Sequence, residues 1–548
     1  MTTEAPSAPQ ASPDDSRGEA SRRDDPRPED ARRSMARGAR RVSALTMLSR
    51  LLGLVREQIF ALTLGAGANS DAFLAAFRIP NLLRDLFAEG ALSTAFVPTY
   101  VATLRNQSRS AAYALANRVM STLTIYLGLT AGVAMLFPEP VVHLVASGFS
   151  PEKAALCATL VRIMLPFLPL ISISVVAMGA LNAEEKYTAP ALASSVFNVV
   201  AIIGGVTVYL VGPSPRAAVM VWAALTVAGG VAQLGIQMPT LWRLGFRPRL
   251  MPDLALRDAG TRRIAALMAP ATLGVAAVQI NVVINSSFAS RVSDGAISWL
   301  SYAFRLMQLP IGVFGVAVGT TALTHLSKDA VRGDWTSMSA TLGRGLRMVL
   351  FLTVPSMVGL ALLGVPIIRL IYEHGRFSEH ATYETARALT GYAVGLAAYS
   401  AVKVVAPAFY AIGRTRVPLI GSVLAVAANL AWNYATYRSL GHFGLALGTS
   451  VAATVNLLVL VTAFQIQIKN LITRELLAAL ARIVGASLAM GVAVYFLSAR
   501  LELIASHALV VRFLKALGPV AAGAAVYFGA AKVLGLEEAQ TLVRRFRR

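Results

Sequence analysis

Apolar stretches about 20 residues long follow one another along most of this chain, and this succession constrains its fold more than any other feature. A helix crosses the hydrocarbon core of a bilayer, about 30 Å thick, in about 20 residues. Ten stretches near this length carry no charged residue: Val119–Phe137, Ile163–Ala183, Tyr187–Pro215, Ala217–Trp242, Ile264–Ser290, Met348–Ile368, Val417–Tyr437, Phe443–Ile468, Ile483–Ala499 and Ala516–Ala531. Four further candidates contain charged residues: Val42–Gly67, Asp71–Leu104, Gly295–Leu326 and Ala388–Tyr410. The sequence therefore predicts an all-α polytopic membrane protein with about fourteen transmembrane helices.

The composition agrees with a membrane protein and argues against several other classes. Of the 548 residues, 56% are hydrophobic and 14% are charged, whereas soluble domains carry about 25% charged residues. The net charge of +22 fits the Lys and Arg that gather in cytoplasmic loops, and no nucleic-acid-binding motif accompanies it, so we expect no nucleic-acid partner. The single cysteine, Cys157, excludes an internal disulfide and a multi-cysteine metal site.

The predicted spans divide the chain into six segments. The first is rich in Pro, Ser, Arg, Asp and Glu and has no apolar run, which predicts disorder and argues against a signal peptide. The connections on the side of this tail carry more Lys and Arg than those on the opposite side, so we expect both termini in the cytoplasm. The segments are a disordered cytoplasmic tail (1–40), a first lobe of six spans (41–243), a basic cytoplasmic linker (244–263), a second lobe of six spans (264–470), a terminal pair of spans (471–535) and a basic cytoplasmic tail (536–548).

Short motifs recur between the two halves of the chain at a nearly constant spacing. Ala76-Phe77-Arg78 returns as Ala303-Phe304-Arg305. At a common spacing one position longer, Pro138 matches Pro366, Phe149-Ser150 matches Phe377-Ser378, and Pro190 matches Pro418. Four matches in the same order predict two pseudo-symmetric lobes of six helices each. Duplicated bundles are typical of transporters, whose binding site lies between the repeats near the middle of the membrane.

Several arginines fall inside predicted spans. Arg50 and Arg56 lie in the first span and Arg305 in the eighth. An arginine at the centre of a span costs about 2.5–3.5 kcal/mol on insertion scales, and intramembrane ionisable residues are usually functional. Because guanidinium groups bind phosphate bidentately, these residues predict an anionic substrate, whereas a cavity for cationic drugs would show buried acids.

A structural explanation also exists for part of this charge. Arg78 and Glu89, in the second span, fit an ion pair near a helix end. An ideal helix places Arg50 and Arg56 about 240° apart, so both line one cavity only if Gly53 breaks the helix.

Two blocks of sequence resemble a known family of transporters. The first comprises SRLLGLVRE at 49–57, GAG at 65–67, SDAF at 70–73 and PNLLRDLFAEGA at 80–91. The second is RLMQLPIGV at 305–313. Both are similar to the MurJ (MviN) family of lipid II flippases, which belongs to the multidrug/oligosaccharidyl-lipid/polysaccharide exporter superfamily.

The resemblance implies a fold and an activity. We expect two six-helix lobes around a cationic cavity, with the terminal pair forming a groove for a polyprenyl tail. The expected substrate is lipid II, the undecaprenyl-diphosphate-linked disaccharide-pentapeptide, moved by alternating access to the periplasmic face of the bacterial inner membrane. The expected partners are thus lipid II and membrane lipids, and the protein is expected to be a transporter and not an enzyme.

The resemblance also assigns roles to single residues. Family positions for binding the diphosphate fall on Arg50, Arg56, Arg84 and Arg305. Asp71 is expected to serve in gating or as a structural polar residue. Relatives can carry acids just before and three residues after the eighth-span arginine, where this chain has Phe304 and Gln308. Glu57 is therefore the remaining candidate for a gating acid.

No cofactor is expected, and coupling to the membrane potential or to a monovalent cation stays open. Members of the family can bind sodium in the second lobe. Polar candidates for such a site are Asn285, Asn429, Asn433 and Thr449. Helix-packing amides explain these residues equally well, and without a carboxylate the sequence predicts no metal site.

Other functions compete with the flippase. A sister exporter of other lipid-linked oligosaccharides would share a basic cavity, while a cation-coupled drug exporter would need mid-span acids. An enzyme acting on the same lipid would need clustered acids to hold Mg²⁺, and the acid pairs outside the first tail have no histidine or third acid nearby. A passive scaffold would not need buried arginines.

Overall fold

The computed structural model describes residues 28–85, 92–468, 470–504, 506 and 508–546, and its regular elements are all helical. The helices of the first half are α1 (Pro28–Leu64), α2 (Ala68–Arg84), α3 (Ser93–Asn106), α4 (Arg109–Leu136), α5 (Pro138–Ala146), α6 (Pro151–Met164), α7 (Phe167–Ala183), α8 (Thr188–Val211) and α9 (Pro215–Arg243). Those of the second half are α10 (Ala259–Ser290), α11 (Ala296–Pro310), α12 (Val316–Arg332), α13 (Trp335–Leu362), α14 (Gly364–Ile371), α15 (Glu379–Ala393), α16 (Leu396–Ala411), α17 (Arg416–Thr436) and α18 (Gly441–Gln467). Three helices follow: α19 (Arg474–Glu502), α20 (Leu509–Val533) and α21 (Glu537–Phe546).

The helices confirm an all-α polytopic membrane protein. Within the described residues, ten continuous helical segments are long and apolar enough to cross a membrane, and α15 with α16, bent by 42°, makes an eleventh span. The other three predicted spans fall on α1, on α2 with α3, and on α10. Helix α1 carries too many charged residues to pass the same test, and α2 and α3 are each too short, whereas the 32 residues of α10 contain the charge-free stretch Ile264–Ser290. The count of fourteen is therefore approximate.

Within the part of the chain that the structure describes, the predicted repeat reappears as two matching series of nine α-helices. Pro151 begins α6 and Glu379 begins α15, and Thr188 begins α8 and Arg416 begins α17, with the spacing of the repeated motifs in each case. The repeated Phe-Ser motif has a structural reason: Ser150 and Ser378 are the N-caps of α6 and α15, and their hydroxyls accept the N–H of the third residue beyond. The two series form the two lobes, and α19 and α20 lie outside them, with α19 packed on α13.

The helix limits differ from the predicted segments at two places. The chain is already helical from Pro28, so residues 28–40 were wrongly predicted to be disordered; residues 1–27 lie outside the described residues. Ala and Arg, abundant in this stretch, are strong helix formers, and Pro28 occupies the first turn, where its missing N–H costs nothing. The linker is also shorter than predicted, because α10 begins at Ala259, with Asp258 as its N-cap.

Candidate functional site

An ion pair joins the two lobes at the wall of a cavity. Glu57 of α1 pairs with Arg305 of α11 and also accepts a hydrogen bond from Arg56 at 3.5 Å. The Glu57 side chain is only 12% exposed, while that of Arg305 is 48% exposed. The carboxylate is therefore fixed inside the protein, and the guanidinium of Arg305 reaches the open space in front of it.

The cavity lies between the lobes and is lined by charged and aromatic side chains. It encloses about 650 Å³, a volume that includes space open to solvent, and Arg56, Glu57 and Arg305 supply its charges. The guanidinium of Arg56 lies 5.8 Å from the centre of the Phe197 ring. The remaining aromatic lining consists of Phe60, Phe73, Phe77, Trp222 and Tyr302. Such a site can hold an anion on its arginines while apolar groups lie against the rings.

The charges around the cavity are not balanced. Arg56 lies close enough to Arg305 and Arg84 for their like charges to repel it. Glu57 is the one acid in the cavity wall, and its second oxygen, Oε2, is buried and receives no hydrogen bond from the described residues. An anion entering the cavity would relieve the repulsion among the cations.

Arg50 and Arg84 do not line this cavity. Arg50 is exposed, and its Nη1 lies 3.9 Å from the position that a Cβ would take on Gly312 of the second lobe. Arg84 pairs with Asp85, whose carboxylate also accepts the amide of Gln279 on α10 at 3.0 Å. Arg50 and Arg56 both reach residues of the second lobe, Gly312 and Arg305 respectively, and α1 continues through Gly53 as one helix.

The family acids expected around Arg305 are replaced as the sequence indicates. Phe304 packs edge-on against Tyr392, and Gln308 is exposed. Glu57, from the opposite lobe, provides the carboxylate for Arg305 instead. The proposed pair of Arg78 with Glu89 lies partly outside the described residues, because Glu89 is not among them.

Asp71 forms a buried latch at the other end of α11. Its side chain is 0% exposed and accepts the backbone N–H groups of Gly295 at 2.7 Å and Ser298 at 2.8 Å, and the Ser298 hydroxyl at 2.6 Å. Lys153 of α6 donates to Asp71 at 2.9 Å and to Asp294 at 2.7 Å. A carboxylate of the first lobe thereby caps a helix of the second, at the end favoured by the helix dipole.

Two further contacts between the lobes lie at this same end, and they are related by the repeat. Gly65, just after α1, lies so close to the Arg376 carbonyl that a Cβ would overlap with it, and Arg376 N–H donates to Leu62 O at 3.0 Å. Gly148 lies against Arg291, just after α10, where a Cβ would come within 2.6 Å of its backbone nitrogen. At the spacing of the repeat, Gly148 corresponds to Arg376, and Leu64, next to Gly65, corresponds to Arg291. We call this end of the bundle, with the Asp71 latch and both glycine contacts, the latch end.

The four polar candidates for a cation site come together only in part. Asn433 donates its amide to Asn285 Oδ1 at 2.6 Å and to Asn429 Oδ1 at 3.0 Å, whereas Thr449 donates to Leu445 O within its own helix. Among the described residues no group of three or more His, Cys, Asp or Glu is placed to hold a metal ion. These amide contacts join α10 to α17.

Sequence reasoning missed the partners of Asp71 and both glycine contacts. In the sequence, Lys153 and Asp294 look like ordinary surface charges, because nothing local indicates that two segments 141 residues apart meet. The repeat was the one available signal, since it links the regions around Gly148 and Arg376.

Comparison with known proteins supports one family. The family model described as lipid II flippase MurJ matches residues 60–514. A lipid II flippase MurJ from Burkholderia cenocepacia is 38% identical over 423 residues, covering 76% of this chain and 81% of the relative. A solved structure of lipid II flippase MurJ in an inward closed conformation matches with a TM-score of 0.76 and 27% identity, over 92% of this chain and 99% of that one. An inward-facing multidrug resistance MATE transporter of the MOP superfamily matches with a TM-score of 0.64 and 17% identity, over 79% of this chain and 98% of that one, which shows a shared fold alone. The chain therefore belongs to the MurJ family of lipid II flippases.

Proposed function

We propose that this protein moves lipid II from the cytoplasmic to the periplasmic leaflet of the bacterial inner membrane. The observation that carries the proposal is the pair of arginines, Arg56 and Arg305, contributed by opposite lobes to one cavity wall. A diphosphate offers enough oxygens to accept hydrogen bonds from both guanidinium groups at once. The family and the relatives named above support lipid II as the source of that diphosphate.

Glu57 binds the two arginines when no substrate is bound. Without a bound anion its carboxylate holds Arg305 and Arg56 in place, because the buried carboxylate and the largely buried Arg56 each need a counter-charge. An arriving diphosphate competes for the same two guanidinium groups and carries more negative charge. Substrate binding thereby breaks the Glu57–Arg305 link between the lobes and frees them to move relative to each other.

The latch end keeps the cavity closed on one side during loading. With both termini in the cytoplasm, as loop charge and an even number of spans favour, this end faces the periplasm. The Asp71–Lys153 pair and the two glycine contacts then form the periplasmic gate, and the aromatic lining of the cavity lies directly beneath it through Tyr302, which donates to Gly65 O at 3.1 Å. Opening of this gate after the Glu57–Arg305 link breaks gives alternating access.

Coupling to the membrane potential is the energy source that the charges support best. Moving one elementary charge across the field is worth about 2.3 kcal/mol per 100 mV, and an inside-negative potential favours outward movement of an anionic headgroup. The same field draws an empty cationic cavity back toward the cytoplasm. The Asn433 amide contacts give no support to coupling through a cation in the second lobe.

The rival functions explain the site less well. A cation-coupled drug exporter would present an unpaired acid to the cavity, but Glu57 is held by two arginines and Asp71 is paired with Lys153. A sister exporter of another lipid-linked diphosphate would suit the same arginines, and the family match to residues 60–514 argues against it.

Complementation tests the proposal directly. The gene is expressed in a bacterium depleted of its own lipid II flippase, and growth is scored together with the leaflet distribution of lipid II. We expect growth and normal lipid II at the periplasmic face, with lysis and cytoplasmic-face accumulation in the empty-vector control. Restored drug tolerance or surface polysaccharide without rescue of growth would contradict the proposal and favour a sister exporter.

A further inference from the structure

The connection between the lobes runs along α4, whose side chains hydrogen-bond to its backbone as a neighbouring β-strand would. We call residues 244–258 the strap. The Asn117 amide donates to Arg247 O at 3.0 Å, and Arg249 N–H donates to Asn117 Oδ1 at 3.0 Å. One amide side chain thereby supplies both hydrogen bonds that a neighbouring strand would make with alternate residues.

The same pattern continues along both directions of α4. Ser121 donates to Arg249 O at 3.3 Å and accepts from Met251 N–H at 3.0 Å, and Asp253 N–H donates to Thr122 Oγ1 at 2.9 Å. At the two ends, Tyr113 donates to Leu244 O at 2.6 Å, and Tyr126 donates to Leu254 O at 2.8 Å. Because α4 satisfies the strap backbone, the position of the strap is fixed, and the side chains of residues 247–250 are all exposed.

The exposed side chains of the strap are basic and apolar. Arg249 and Arg257 are exposed, and Leu250 between them is 80% exposed. Leu254 is exposed as well, as is Trp242 at the adjoining end of α9. A single exposed leucine is ordinary, but several exposed apolar side chains along one basic segment are typical of a membrane- or protein-interaction surface.

Among the described residues, neither acid of the strap forms an ion pair with Arg249 or Arg257, although Arg257 lies close enough to Asp253 for their charges to interact. Asp253 accepts the backbone N–H groups of Arg257 and Asp258, both at 2.9 Å, and these hydrogen bonds hold its pKa below the ordinary value. Asp258 pairs with Arg118 of α4 and caps α10. Both carboxylates therefore serve the fold, and the outer surface of the strap remains cationic.

We propose that the strap is a docking surface for the anionic phospholipid headgroups of the leaflet next to it. It joins the ends of α9 and α10, so it lies at the level where spans leave the membrane. Arginines attract anionic lipid, and the exposed leucines insert at the boundary between headgroups and acyl chains. Docking would anchor the first lobe, through α4, at the surface against which the second lobe moves.

A polarity-sensitive fluorophore placed on the strap tests this proposal without measuring lipid II transport. Cys157, the single cysteine, is buried and is replaced by alanine, and the fluorophore is attached to Leu250→Cys. The full chain is reconstituted in vesicles of phosphatidylcholine alone or of phosphatidylcholine with phosphatidylglycerol. We expect the emission to shift to the blue, and quenching by nitroxide lipids to increase, only when phosphatidylglycerol is present.

Two controls separate docking from a general effect of charge. A fluorophore at Val331→Cys, 89% exposed beside the exposed Arg332 of the second lobe, should report no dependence on phosphatidylglycerol. The double variant Arg249→Gln/Arg257→Gln should abolish the shift at position 250, whereas Arg332→Gln/Arg416→Gln should leave it intact. An unchanged emission at position 250, an equal shift at 331, or equal loss in both double variants would overturn the proposal.

Discussion

Glu57 and Arg305 form an ion pair between α1 and α11 although they lie in opposite halves of the chain, and the carboxylate is far more buried than the guanidinium. The pair therefore has a fixed acid and an accessible cation, so an entering anion can replace the acid without displacing the arginine. Ten residues earlier on the same helix, Gly295 donates to Asp71. One helix of the second lobe is thus held to the first lobe at two levels, roughly 15 Å apart along its axis.

Loss of the accessible cation should abolish transport. We expect Arg305→Ala to accumulate normally in the membrane and to fail in complementation, because the diphosphate then has one guanidinium in place of two. Arg305→Lys keeps the charge but loses the bidentate fork, so it should rescue growth only partly. Arg416→Ala, an exposed arginine elsewhere in the second lobe, is the control and should rescue fully. Normal growth with Arg305→Ala would remove this residue from the site.

Loss of the competing acid should strengthen substrate binding. Glu57→Gln keeps the shape of the side chain but leaves Arg56 and Arg305 without their carboxylate. We expect lipid II to bind several-fold more tightly to the purified variant, and transport to be no faster, because the empty carrier loses the link that resets the lobes. Native mass spectrometry with graded lipid II measures the binding. Weaker binding would mean that Glu57 contacts the substrate directly.

The Asp71–Lys153 pair should control access from the latch end. Removing one partner of a buried ion pair costs about 3–5 kcal/mol, so Asp71→Asn should open this end. The reporter is Ser301→Cys in the cavity wall, labelled by a maleimide that cannot cross the membrane. Asp294→Asn removes the other acid that Lys153 contacts, but its carboxylate is 71% exposed, so labelling should rise much less. Equal labelling in both variants would show that burial of Asp71 does not hold the gate.

The parts of this structure that the sequence predicts are those with a local or periodic cause. Apolar length predicts the spans, and the constant spacing of the repeated motifs predicts that α15 will repeat α6. What could not be predicted is which loops meet at the latch end, because the Lys153–Asp294 contact depends on how two lobes dock and neither residue differs locally from a surface charge.

The glycine contacts at the latch end allow a purely steric test. Gly148→Ala would place a Cβ 2.6 Å from Arg291 N and Cα, both backbone atoms that cannot move aside without shifting α10. We expect this variant to prevent complete closure and to raise labelling of Ser301→Cys from the periplasm. The control is Gly132→Ala in α4, whose Cβ would meet nothing within 4 Å. Gly65 is less suitable, because its φ of +67° would add backbone strain to the clash. Normal labelling in Gly148→Ala would show that this contact yields without opening the gate.

The terminal helices α19 and α20 are proposed to hold the polyprenyl tail, and the structure changes which glycine tests that idea. The small size of Gly523 would suit a residue that lines a groove for the tail. In the structure, however, Gly523 is buried against α19, where a Cβ would come within 2.6 Å of Val494. A bulky residue there would push the two helices apart, and overpacking of this kind costs about 1–3 kcal/mol. Gly529 is exposed and has nothing within 4 Å of its Cβ position.

Tryptophan at these two glycines should therefore have opposite effects. Gly523→Trp should lower the melting temperature of the purified protein by separating α19 from α20. Gly529→Trp should leave the melting temperature unchanged and weaken crosslinking to a photoactivatable polyprenyl-diphosphate lipid, because the new ring covers the apolar surface on which the tail lies. The amount of crosslinked lipid, divided by the amount of folded protein, distinguishes loss of tail binding from loss of stability. If Gly529→Trp crosslinks as well as the unmodified protein, and deletion of both helices leaves a stable protein that still crosslinks, the tail lies elsewhere on the protein.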